Sequence, residues 1–118
     1  MVNGLHALII EDEMLVSLDM RQCLSEIGFD SFAFAGTEAQ ALEQGRLRRP
    51  DLITVDVRLL DGDGLAAARS LGRELGALPT IYVTGDPAAL TGTPDAVVVE
   101  KPFAPQDLEA ACRRLRLQ

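Results

Sequence analysis

The chain has 118 residues, 47% of them hydrophobic, and a formal net charge of −7. That length holds one domain with a core of its own and no second folded module, and the apolar content excludes an intrinsically disordered chain. The negative charge repels phosphate at long range, which argues against non-specific binding to nucleic acid or to an anionic membrane and favours cations and basic protein surfaces as partners.

The first apolar run, Leu5 to Ile10 interrupted by His6, is too short to span a bilayer, and no charged leader precedes it, so a cytoplasmic protein is expected. It reads as a strand over 5–10 and runs into Glu11 and Asp12. His6 lies on this strand, away from those acids, and is expected to be a packed or edge histidine. A helix over 14–27 comes next, with Val16, Met20, Cys23, Leu24 and Ile27 at helical spacing toward the sheet and Gly28 as its stop. Met14, Leu15 and Leu18 fall off that stripe, either partly covered by a neighbouring loop or forming a partner-docking patch.

A second strand over 31–35 leads to a helix over 37–47 that Thr37 can cap. The third strand, 51–56, ends in Asp56 and precedes a helix over 64–75. The fourth, 79–84, ends in Thr84, and only a very short helix near 87–91 fits before the fifth strand at 96–99, because Pro87, Gly92 and Pro94 crowd the interval. Lys101 comes after that strand, and a last helix over 105–116 opens on Pro105. Near-continuous apolar runs such as Ile53 to Val57 suit strands buried on both faces, and the alternation of strands with helices predicts an α/β fold with a parallel sheet. Cys23 and Cys112 lack metal-ligand spacing and read as reduced, packed thiols. Arg113, Arg114 and Arg116 read as cations at a helix C-terminus, and the chain reaches Gln118 without an output module.

Parallel strands would bring Glu11, Asp12, Asp56, Thr84 and Lys101 to one sheet edge, where open α/β folds carry their chemistry. Three close carboxylates stay ionised only beside a cation, and few oxygen ligands with a phosphate substrate favour Mg²⁺ over Ca²⁺. In such a pocket Asp56 is the nucleophile toward phosphorus. Mg²⁺ and Lys101 offset the charge of the equatorial oxygens, and the Thr84 hydroxyl donates to one of them.

With acids after the first strand, Asp after the third, Thr after the fourth and Lys-Pro after the fifth, the chain resembles the response-regulator receiver domains of two-component signalling, over essentially its whole length. The resemblance implies a flavodoxin-like doubly wound five-stranded parallel sheet in the order 2-1-3-4-5, with helices on both faces and a short fourth helix. It implies Glu11 and Asp12 as Mg²⁺-binding acids, Asp56 as phosphoacceptor, Arg58 as a backbone-carbonyl metal ligand, Thr84 as switch hydroxyl and a cis Lys101-Pro102 bond. The implied donor is a sensor histidine kinase or a histidine phosphotransfer protein. Met14, Leu15, Leu18, Pro102 and Phe103 are candidate docking residues, the output partner is an unidentified protein, and a monomer is favoured.

The stretch Leu60-Asp61-Gly62-Asp63-Gly64-Leu65 resembles the family's turn into the third helix, with Leu60 where proline is usual. The other ligands of a calcium-binding loop are missing around Asp61 and Asp63. Three departures bear on signalling. Val98 stands in the place of the family's switch aromatic, and Tyr82 is not an automatic substitute. The interval from Thr84 to Lys101 is short by about one helical turn, which weakens the face commonly used for dimerisation. Gly85, where alanine is common, should leave the pocket open. Two other readings compete: a phosphorylation-independent adaptor, favoured by Val98 and the short interval, and a haloacid-dehalogenase-like phosphatase, whose nucleophile would lie after the first strand rather than the third.

Overall fold

The computed structural model describes residues 4–59, 63–90, 92–93 and 95–117. Leu60, Asp61 and Gly62 of the third turn, Pro94 and Gln118 lie outside the described residues. Five strands, β1 (His6–Ile10), β2 (Ser31–Ala35), β3 (Leu52–Asp56), β4 (Thr80–Thr84) and β5 (Val97–Glu100), pair in parallel in the order β2-β1-β3-β4-β5. This is the order that the family resemblance implies. Every residue of β1 and β3 is buried, the polar His6, Thr54 and Asp56 included, as expected of largely apolar central strands covered on both faces.

Alternating strand residues feed two separate cores. Ala7, Ile9, Ile81 and Val99 pack with Met20 and Leu24 of α1 (Met14–Ile27) and with Leu108 and Cys112 of α4 (Pro105–Arg114). On the other face Leu8, Ile10, Ile53 and Val55 pack with Ala41 of α2 (Glu38–Leu47) and Leu71 of α3 (Gly64–Leu75). Among the described residues between β4 and β5 the one helical element is a 3₁₀ turn, Pro87–Leu90, in line with the crowding of proline and glycine there.

The helix ends obey local chemistry. Thr37 Oγ1 accepts from Gln40 N at 3.1 Å, Asp63 Oδ1 accepts from Leu65 N at 2.8 Å, and Gly28 closes α1 at φ 127°. Pro105 opens α4, while Asp107 Oδ2 accepts from Ala104 N at 2.8 Å. At the other end of α4, Leu117 N reaches Cys112 O at 2.9 Å and Arg116 N reaches Arg113 O at 3.0 Å, a Schellman closure. Arg116 occupies its left-handed position at φ 60°, where glycine is the usual residue.

The expected stripe of α1 faces the sheet: Met20, Cys23 and Leu24 are buried, half-buried Ile27 packs on the same core, half-buried Val16 lines a small void with Ile9, Met20 and Val83, and Ser17 is buried as well. Met14 and Leu15 are not covered by any loop: they are 76% and 79% exposed. Both cysteines are free and buried, and burial pushes the Cys112 thiol up to about 11, which keeps it inert. His6 is packed, its Nδ1 2.8 Å from Ser31 Oγ, and burial lowers its pKa. Among the described residues no helix is long and apolar enough to cross a membrane.

Candidate functional site

The site is built by strand register. Ile10 pairs with Ala35 and with Val55, and Asp56 pairs with Val83, so β1, β3 and β4 finish together. Glu11 and Asp12 therefore emerge beside Asp56, and ligand oxygens of the three carboxylates lie within 4.8 Å of one another. Lys101 is brought back by β5: its backbone N donates to Thr84 O at 2.9 Å. Its ammonium Nζ sits 3.1 Å from Glu11 Oε1 and 3.3 Å from Asp56 Oδ2. Four of the five expected residues thus form one cluster, with Lys101 bridging two of its acids.

The electrostatics arise from that crowding. Burial and the neighbouring Asp56 carboxylate push the Glu11 carboxyl up to about 7, despite the Glu13 N–H at 3.2 Å from Oε2 and the Lys101 ammonium. Burial alone would lower Lys101, but hydrogen bonds to Glu11 and the charges of Glu11 and Asp56 outweigh it and raise its pKa. One ammonium does not neutralise three carboxylates. A cluster of hard oxygen donors with surplus negative charge fits a divalent ion such as Mg²⁺.

Beside the cluster opens a cleft of about 350 Å³ lined by Glu13, Asp56, Arg58, Thr84, Asp86 and Lys101, among others. Arg58 N donates to Asp56 Oδ1 at 3.2 Å and so fixes the carboxylate. Thr84 is buried and lines the cleft, but its hydroxyl is turned to its own loop: Oγ1 accepts from Asp86 N at 2.9 Å and donates to Asp86 O at 3.2 Å. Gly85 also lines the cleft, and a Cβ there would meet nothing within 4 Å, so there is room for alanine as well. The Lys101-Pro102 peptide is cis.

Three residues that sequence patterning did not single out, Glu13, Phe34 and Asp86, shape the site, as does Gly64, which the sequence marks only as part of the turn into the third helix. Glu13 and Asp86 line the cleft, the one directly after the acidic pair and the other two residues beyond the threonine. Gly64 packs on β3: a Cβ there would overlap the carbonyl oxygen of Asp56 and come within 2.8 Å of Val55 Cγ1. Phe34, exposed on the edge strand β2, joins Met14 and Leu18 in an apolar groove of about 440 Å³ that ends at Glu11 and Asp12. Leu15 is exposed outside that lining, Pro102 is exposed, and Phe103 is half-buried against the α1–α4 core, so only part of its ring is free for a partner.

Comparison with known proteins gives a consistent picture. The sequence model described as "Response regulator receiver domain" matches residues 7–113. The chain is 35% identical to the phyllosphere-induced regulator PhyR of Methylorubrum extorquens over 87% of its own length and 40% of the relative's. It is also 35% identical to the KDP operon transcriptional regulatory protein KdpE of Escherichia coli, over 92% of this chain and 49% of that one. It spans less than half of either protein. The PhyR receiver domain of Erythrobacter litoralis, solved by NMR, superimposes with a TM-score of 0.86 at 26% identity, covering 98% of this chain and 93% of that one. With all but the ends of the sequence matched and a solved member of the family superimposing over nearly the whole chain, the protein belongs to the response regulator receiver domains.

Proposed function

We propose that the protein accepts a phosphoryl group on Asp56 from the phosphohistidine of a sensor kinase or phosphotransfer protein, and signals by protein contact. The observation that carries this reading is the Lys101 ammonium held between Glu11 and Asp56, at 3.1 and 3.3 Å. Asp56 Oδ attacks phosphorus in line, the O–P bond forms as the donor N–P bond breaks, and the imidazole leaves with the electron pair and takes up a proton. Lys101, freed from part of its acid contacts, neutralises one equatorial oxygen. Mg²⁺ held by Glu11, Asp12, Asp56 and the Arg58 carbonyl would supply Lewis-acid stabilisation of the same oxygens. Thr84 turns from Asp86 to donate to the phosphoryl group.

The groove between α1 and β2, walled by Met14, Leu18 and Phe34 and ending at the acids, suits the apolar face of a donor helix that delivers its histidine to Asp56. Pro102 and the free part of Phe103, which follow β5, lie outside that groove and would meet a partner only from the Lys101 side. The phosphorylation-independent adaptor is less favoured, because the acid–lysine cluster is complete. A phosphatase of the dehalogenase type is disfavoured by the position of Asp56 on β3. Peptide mapping after transfer from a phosphohistidine donor tests the proposal. A hydroxylamine-sensitive acyl phosphate on the Asp56 peptide is expected; label on histidine, serine or threonine alone would overturn it.

A further inference from the structure

Asp86 uses every polar atom it has. Its N–H and C=O bond the Thr84 hydroxyl, at 2.9 and 3.2 Å. Its Oδ1 accepts from Ala88 N at 3.2 Å and so secures the start of the 3₁₀ turn Pro87–Leu90. Its Oδ2 takes the Arg58 guanidinium, Nη2 at 3.3 Å, across the mouth of the cleft. Two side-chain donors beside Asp56, one from the β3–α3 loop and one from the end of β4, are thus both held by one residue.

We propose that Asp86 is a positioning residue that latches the β4–β5 segment, and that phosphorylation of Asp56 releases it by drawing away Thr84 and Arg58. The proposal rests on the phosphoacceptor reading and names how that site would report its state. The competition is one-sided. The Arg58–Asp86 pair is exposed, with side chains 77% and 53% accessible, so its contribution is small and easily exchanged. A phosphoryl group offers a dianion with three acceptor oxygens in the same cleft, which binds a guanidinium and a hydroxyl more strongly than a solvated carboxylate and a peptide carbonyl do. When Thr84 leaves, the Asp86 N–H and C=O lose the hydroxyl that joins them; when Arg58 leaves, Oδ2 loses its guanidinium.

The short segment after Asp86 makes the release consequential. A full helix on the β4–β5 face would be anchored by its own core contacts, whereas the contacts of this 3₁₀ turn among the described residues include buried Leu90, the Thr93 N–H on Leu90 O and the Asp86 cap. In this chain the signal need not pass through an aromatic rotamer at position 98, where valine stands. It passes through loss of the hydrogen bonds around Asp86, loosening the segment that leads into β5 and Lys101.

Hydrogen exchange of the full-length protein tests this, with Mg²⁺ and with or without acetyl phosphate, the label on Asp56 being read separately by intact mass. In labelled native protein the Asp86 and Ala88 amides are expected to exchange about tenfold faster than in unlabelled protein. Asp86→Ala is expected to exchange fast at Ala88 before labelling and to show no further response there, while the amide of residue 86, whose bond to Thr84 Oγ1 is a backbone bond, still responds. Asp86→Asn, which keeps the cap but loses the charge, should fall between. Labelled native protein with unchanged exchange at both amides, or Asp86→Ala with a native-sized response at Ala88, would overturn the latch while leaving the phosphoacceptor reading intact. Absence of any label on Asp56 would overturn that reading, and the latch with it.

Discussion

The β1–β3 half of the carboxyl edge and the β4–β5 half differ in how their functional groups are held. At the β1–β3 end, Glu11 directly after β1 and Asp56 at the end of β3 are buried, and the backbone of Glu13 and Arg58 grips their carboxylates. At the β4–β5 end, Thr84 is buried on its strand, but its hydroxyl is committed to an exposed loop built on one 3₁₀ turn. Chemistry that needs fixed geometry sits on strands whose position is set by two packed cores. Response to that chemistry sits where local stability is low and hydrogen bonds can be exchanged.

Several substitutions would break or sharpen this contrast. Lys101→Ala has the largest expected effect: it leaves the acids of the rigid half without their ammonium, and should slow phosphorylation by acetyl phosphate by roughly a hundredfold or more in a stopped-time labelling assay. Gly64→Ala attacks the same half through its backbone. Because its Cβ would overlap Asp56 O, a loss of about 3 kcal/mol is expected in urea unfolding, together with impaired labelling. Gly72→Ala, on the same helix with nothing within 4 Å of its Cβ, should instead gain about 0.5–1 kcal/mol by helix propensity and reduced unfolded-state entropy.

Acidity offers a gentler probe of the rigid half. The folded Glu11 carboxyl, at about 7, lies above its ordinary value of 4.5, so the folded state binds the proton more tightly than the unfolded chain does. Its protonated form is therefore tolerated at low pH. Without divalent ion, this group's contribution to stability should decline as pH rises from about 4.5 through about 7. Mg²⁺ should reverse that decline and bind more tightly at pH 8 than at pH 6. Calorimetry in two buffers of different ionisation enthalpy is expected to show proton release on binding below neutrality; pH-independent affinity would contradict the assignment. The smallest effect is expected at Arg116→Gly, which relieves the left-handed cap of α4 at φ 60° and should add about 1 kcal/mol in thermal unfolding.

Much of this arrangement is legible in the amino-acid sequence. Buried central strands are largely apolar, so LHALII and DLITV mark themselves, the edge strand VVVE is apolar for most of its length, and the acids that follow the first two runs and the lysine that follows the third mark the site. Thr37, Gly28 and Pro105 announce helix ends because each acts on the backbone beside it. Patterning does not carry contacts made through loop geometry or across the chain. Asp86 looks like any solvated loop acid until its bonds to Thr84, Ala88 and Arg58 are seen. Gly64 looks like a helix-entry glycine until the Asp56 carbonyl is found against it. Phe34 reads as one more strand apolar, yet β2 is an edge strand whose end leaves the ring half out of the core beside α1. Ser17 is buried although polar, because helix phase near the sheet edge is set by packing rather than by hydrophobicity.

The central claim is that the strand-end cluster performs phosphoryl transfer on Asp56, and intact-mass measurement after incubation with Mg²⁺ and acetyl phosphate tests it most directly. Native protein should gain one phosphoryl group per chain, only when Mg²⁺ is present, and Asp56→Asn should gain none. Equal labelling of the two proteins, or labelling indifferent to Mg²⁺, would contradict it.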